Sequence, residues 1–108
     1  MTKFPCPYLN ADVELTEERE IHIRDKHPDL LPAHQDYVAQ TLRDPDEVRR
    51  DGRFPNSQLF SRWFPEVKGG KFIVVVVVSD PAPADRYWIV TAYLARQLSG
   101  GSIAWKRP

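Results

Sequence analysis

The sequence predicts an α+β domain in which two N-terminal helices pack on an antiparallel sheet of four to five strands. Two observations locate the helices: residues 16–27 run from acidic to basic and stop at Pro28, and Tyr37, Val38, Thr41 and Leu42 recur at helical spacing. The third is a switch to period-two patterning from Ser57 onward, which belongs to strands. Helices first and strands afterwards is the order of an α+β domain rather than of alternating βαβ units.

Residues 1–11 are expected to form an irregular or extended arm, because Pro5 and Pro7 fix their own φ and restrict the residue before each. Residues 12–108 then make the single domain. Thr16 is placed to cap the first helix, and Glu17, Glu18 and Glu20 put negative charge at the positive end of its dipole. Lys26 and His27 sit at the opposite end, before Pro28.

Leu30-Leu31-Pro32 reads as the start of the second helix, with the proline in its first turn and the stop before Asp44-Pro45. Asp44 to Glu47 forms a turn into a strand at Val48, and Asp51-Gly52 with Pro55-Asn56 mark the loops around that strand and the next.

From Ser57 the strands follow. Leu59, Ser61 and Trp63 point one way, and Phe60, Arg62 and Phe64 the other. After the Gly69-Gly70 turn, Lys71 to Ser79 contains five consecutive valines, as expected of a central strand covered on both faces. A stiff polar loop is expected over residues 80–85. Arg86 to Ala95 reads as a strand with an apolar face of Trp88, Val90, Ala92 and Leu94 and a second face of Tyr87, Ile89, Thr91 and Tyr93. Ser99-Gly100-Gly101 turns into a last strand from Ser102 to Lys106, which ends an antiparallel meander.

Composition narrows the function. With 108 residues, 42% hydrophobic and 28% charged, the chain is one globular domain with one core. Its longest apolar run, Phe72 to Val78, falls well short of the ~20 residues of a spanning helix, so no membrane partner is expected. The first residues resemble no secretory signal, which predicts a cytoplasmic setting. A single cysteine, Cys6, can form neither an internal disulfide nor a thiolate cluster.

Net charge is zero, yet residues 1–50 carry seven Lys or Arg against eleven Asp or Glu, and residues 51–108 carry eight against four. The basic excess therefore falls on the predicted sheet, where a cationic face for phosphates could form.

Candidate chemistry centres on two histidines. His22 and His27 could divide a proton abstraction and a proton donation near neutral pH. Five residues apart, they lie about 140° apart around a helix, unlike the i, i+4 spacing of helical zinc ligands, so no metal or other cofactor is expected. His27 reaches the side of His22 only if the last turn frays; its alternative role is to satisfy the helix C-terminus. His34 is read as a solvated or capping residue.

Arg62, on a strand between Phe60 and Phe64, needs an anion if buried: a substrate phosphate, Glu66 or a helix carboxylate. Thr91 and Tyr93 share a strand face and could offer two hydroxyls to a ligand. Lys71 and Lys106, beside turns, are either solvated charges or contacts to a substrate.

Together, Leu15-Thr16-Glu17-Glu18-Arg19 leading to His22-Ile23 and His27-Pro28, Leu42-x-Asp44-Pro45-Asp46-Glu47-Val48, a valine-rich strand and Val90-Thr91-Ala92-Tyr93 carry a resemblance. This pattern resembles a phage-associated nuclease family grouped with barnase, EndoU, colicin-type tRNases and the RelE toxins, over about residues 12–106. The resemblance implies two helices on an antiparallel sheet and metal-independent RNA cleavage, with His22 and His27 on the helix side and Thr91 and Tyr93 on the strand side. Arg62 is added from strand geometry as a phosphate clamp.

The expected reaction is attack of a ribose 2′-hydroxyl on the adjacent phosphorus, giving a 2′,3′-cyclic phosphate, with RNA, including tRNA, as substrate. A toxin of this kind would have a cognate inhibitor protein. The competing expectation is a catalytically silent module of the same fold that binds RNA or protein.

Overall fold

The chain folds as an α+β domain with two helices and a seven-stranded mixed sheet, in a computed structural model that describes residues 1–80 and 86–108. In chain order the elements are β1 (Thr2–Cys6), a 3-10 turn (Pro7–Leu9), β2 (Ala11–Leu15), α1 (Glu17–Lys26), α2 (Gln35–Arg43), β3 (Glu47–Arg50), β4 (Ser57–Phe64), β5 (Lys71–Ser79), β6 (Tyr87–Ala95) and β7 (Ser102–Lys106). The loop expected over residues 80–85 lies, beyond Asp80, outside the described residues.

Two strands come from the segment expected to be irregular. β1 and β2 form an antiparallel hairpin, with Phe4, Cys6, Val13 and Leu15 buried in alternation. Pro5 is tolerated because β1 is an edge strand, where a missing N–H need not break a ladder. Pro7 begins the 3-10 turn, and Asn10, in the left-handed region at φ 53°, closes it. Cys6 is a buried free thiol, and burial pushes its pKa up, which makes it unreactive.

The sheet order is β1-β2-β6-β5-β4-β3-β7, so the valine strand β5 is central, as its composition predicts. β3 to β6 form an antiparallel meander, but β7 crosses back to pair with β3, and β2 runs parallel to β6. The purely antiparallel four- to five-stranded sheet is therefore corrected to seven mixed strands.

One face carries the main core. Ile73, Val75 and Val77 of β5 join Ile23 of α1, Leu30 and Leu31 between the helices, and Val38 and Leu42 of α2. Each such side chain contributes roughly 1.5–3 kcal/mol of transfer free energy. On the other face Val76 and Val78 are only half-buried. Both helices serve one face; on the second the β6–β7 crossing covers only Val74, so β5 is covered on both sides along only part of its length.

Helix α1 is bounded as the sequence predicts: the Thr16 hydroxyl accepts from Arg19 N–H at 3.2 Å, and Pro28 follows the last turn. Helix α2 begins later than expected, at Gln35. Leu30 and Leu31 are both fully buried, and both their N–H groups donate to the His27 carbonyl, which makes a turn of this stretch rather than a helical start.

The chain crosses from β6 to β7 over the half-open face. Arg49 Nη1 donates to the Gly100 carbonyl at 3.1 Å, tying that crossing to β3. Gly101, at φ +68°, lies so close that a Cβ would run into the Arg50 carbonyl. Gly101→Ala should therefore lower stability by at least ~1 kcal/mol through left-handed strain alone. Gly52→Ala, in open space, should be near neutral. Equal urea midpoints for the two variants would contradict this account.

Candidate functional site

A groove of about 740 Å³ lies on the half-open face of the sheet. Its floor is Leu59 of β4, Val76 and Val78 of β5, and Val90, Thr91 and Tyr93 of β6. The loop between β3 and β4 supplies one wall through Asp51, Arg53, Phe54 and Asn56, and the crossing chain at Ser99–Gly101 supplies the other.

A β-bulge decides what reaches that floor. Val77 pairs with Ile89 while Val76 pairs with Thr91, so Val90 is an extra residue on β6. Side-chain parity reverses there. Ile89 and Ala92 are both buried in the core, whereas Val90, Thr91 and Tyr93 all line the groove. Strict alternation had put Val90 with Ala92 and Ile89 with Thr91, and the bulge corrects both pairings.

The bulge also engages helix α1. Arg19 Nε donates to the Val90 carbonyl at 3.0 Å, joining the first turn of α1 to β6. His22 is half-buried three residues further on, hence on the same side of the helix as Arg19. His27 is the C-cap, and its ring centroid lies 6.1 Å from that of Tyr93 at an interplanar angle of 40°. Its backbone is fixed, since the N–H donates to Ile23 and the carbonyl accepts from Leu30 and Leu31.

Electrostatics at Tyr93 follow from its neighbours. Burial pushes the Tyr93 phenol up, the Arg53 guanidinium opposes the shift and the Asp51 carboxylate adds to it. The phenol stays protonated near neutral pH and is available as a hydrogen-bond donor. Asp51 Oδ1 accepts from the Arg53 backbone N–H at 2.9 Å and lies 3.5 Å from Arg53 Nε. The Arg53 side chain is 83% exposed, so its terminal nitrogens remain open to an anion from solvent.

Thr91 and Tyr93 thus share the groove and His27 adjoins Tyr93, whereas His22, half-buried on α1, does not line the groove. Arg62 lies elsewhere. It shares the opposite face of β4 with buried Phe60 and Phe64, where Nη1 donates to the Asp44 carbonyl at 2.6 Å and pairs with Asp44 Oδ2 at 3.1 Å. Since Asp44 is the C-cap of α2, Arg62 closes that helix end, and its anion is this carboxylate rather than Glu66.

Lys71 Nζ donates to the carbonyls of Lys68 and Gly70, and Lys106 is exposed on the edge strand β7; neither lines the groove. His34 is the N-cap residue of α2 but makes no side-chain cap bond, and its ring stacks on Tyr37 at 5.2 Å.

Sequence reasoning passed over Arg19, Asp51, Arg53 and Phe54. Arg19 carried a signal, because a cation in the first turn of a helix opposes the dipole and calls for another partner. The loop residues carried none, because turn composition does not reveal what the turn overhangs.

Among the described residues no three His, Cys, Asp or Glu side chains gather in a group that could hold a metal ion. Among the same residues no helix is long and apolar enough to cross a membrane. Comparison with protein-family models, curated proteins and solved structures finds no match to the chain.

Proposed function

We propose that this protein is a metal-independent endoribonuclease that cleaves RNA by 2′-hydroxyl attack and leaves a 2′,3′-cyclic phosphate. The observation that carries the reading is the meeting of His27 with Tyr93 at the border of a groove that Thr91 also lines. The motif resemblance to the barnase, EndoU, colicin and RelE group of nucleases lends it further support.

Chemically, one histidine of the His22 and His27 pair takes the proton from the 2′-hydroxyl as its oxygen attacks phosphorus. The other supplies a proton to the departing 5′-oxygen as the P–O5′ bond breaks. Arg53, rather than Arg62, neutralises the phosphate, and the Thr91 and Tyr93 hydroxyls donate to its oxygens as charge builds in the transition state. Lys71 and Lys106 have no part in this arrangement. The reading implies an intracellular RNA substrate, tRNA included, and is compatible with an inhibitor protein that covers the groove.

The test is incubation of wild type and His22→Ala with total tRNA and a mixed-sequence RNA in EDTA, with product ends analysed for cyclic phosphate. Cyclic ends from wild type, reduced in the variant, are expected. No cleavage of either RNA by folded wild type would turn the interpretation to a silent binding module.

A further inference from the structure

We propose that the groove is a subsite for an unpaired nucleobase of single-stranded RNA, with Phe54 as the residue on which the base stacks. The inference rests on the ribonuclease reading and specifies its substrate as RNA with accessible bases. Phe54 is a large apolar side chain left 56% exposed at the groove wall. Single exposed apolar residues are common on surfaces, so exposure by itself means little. This one stands at a groove wall beside a cation, with the Arg53 guanidinium over its ring, 5.8 Å from the centroid.

The groove is divided chemically in the way a nucleotide is. Arg53 with its paired Asp51, and Tyr93 with His27 beside it, form a polar, charged end at which the exposed Arg53 guanidinium is the group open to an anion, and Leu59, Val76, Val78 and Val90 form an apolar floor. A phosphate at the first and a flat base along the second would satisfy both, with Phe54 on the face of the base. Asn56 Nδ2 donates to the Ser79 carbonyl at 2.9 Å, which fixes that side chain on the same wall and leaves its amide oxygen to accept from a base edge. In a duplex the base faces are stacked and closed to an aromatic side chain, whereas a single-stranded loop presents them.

The experiment measures binding of fluorescein-labelled 2′-O-methyl hexauridylate, which lacks the attacking hydroxyl, and of an abasic strand of equal length, by anisotropy at low salt. Phe54→Ala should weaken binding of the intact strand by roughly 5- to 150-fold, the range for losing one base–aromatic stack. Wild type should bind the abasic strand at least as weakly, since the floor and Asn56 contacts go with the base, and adding Phe54→Ala to the abasic strand should cost little more, because the stack is already gone. Phe54→Trp, which keeps a stacking face, should bind at least as tightly as wild type.

If Phe54→Ala binds the intact strand like wild type, or wild type does not distinguish intact from abasic, the base subsite is overturned. Cyclic-phosphate production by wild type would then leave the ribonuclease reading standing. Absence of both strand binding and cleavage by wild type overturns the two together.

Discussion

Replacing His27 by alanine is expected to lower RNA cleavage by ~10²-fold or more, the loss typical of a removed acid–base group. Alanine keeps the backbone bonds of this position, because the N–H to Ile23 and the carbonyl to Leu30 and Leu31 do not involve the ring. What is lost is the imidazole beside Tyr93 and a side chain at the helix C-terminus. The second loss is worth roughly 0.3–1 kcal/mol, which leaves a domain of ordinary stability almost wholly folded. A fall in rate of two decades with an unchanged circular dichroism spectrum would therefore report chemistry rather than unfolding. Cleavage by His27→Ala at the wild-type rate would remove His27 from the mechanism, and with it the observation on which the proposed function stands.

Phe60→Ala should produce the largest loss of stability at any single position considered, about 3–5 kcal/mol. Phe60 is fully buried in β4, pairs in register with Val48 of β3 and Val75 of β5, and meets the Tyr8 ring edge-on at 5.8 Å. Truncation removes the transfer free energy of the ring and leaves a cavity that neighbouring strands, fixed by their ladders, cannot close. Set against the roughly 5–15 kcal/mol that holds a typical domain together, the loss approaches global unfolding.

Phe54→Ala provides the contrast, since a surface aromatic should change stability by no more than about 0.5 kcal/mol. The two variants compare the same chemical change in core and groove. Urea titration decides the matter: a Phe60→Ala midpoint no lower than that of Phe54→Ala would show that the core assignment of β4 is wrong.

Local rules were enough for much of this protein. Thr16 with its acidic first turn and Pro28 bound α1, the valine run identifies the central strand, and alternation along residues 57–64 puts Phe60 and Phe64 inward. These features are legible because capping, proline geometry and side-chain period act over a few residues. The hairpin of β1 and β2 was less legible, although Val13 and Leu15 alternate with polar neighbours. Two prolines argued against strands, and only the position of β1 at the edge of the sheet makes Pro5 acceptable.

The sequence singled out Thr91 and Tyr93, which line the groove, and His27, whose ring adjoins Tyr93, but did not show how such residues assemble. Whether Arg62 faces a substrate or Asp44 depends on where the end of α2 comes to rest, and a strand pattern contains no information about that. The extra residue at Val90, which turns Thr91 and Tyr93 outward while Ile89 and Ala92 turn inward, arises from pairing with β5 and is invisible in β6 alone.

The sequence by itself determined the two helices, the strands from Val48 onward and which strand lies at the centre, because these follow from local backbone preference and hydrophobic period. Tertiary structure alone decided the groove. Its floor, its two walls and the approach of His27 to Tyr93 bring together residues from five separate stretches of chain, and their convergence depends on strand register, crossover and packing between elements distant in sequence.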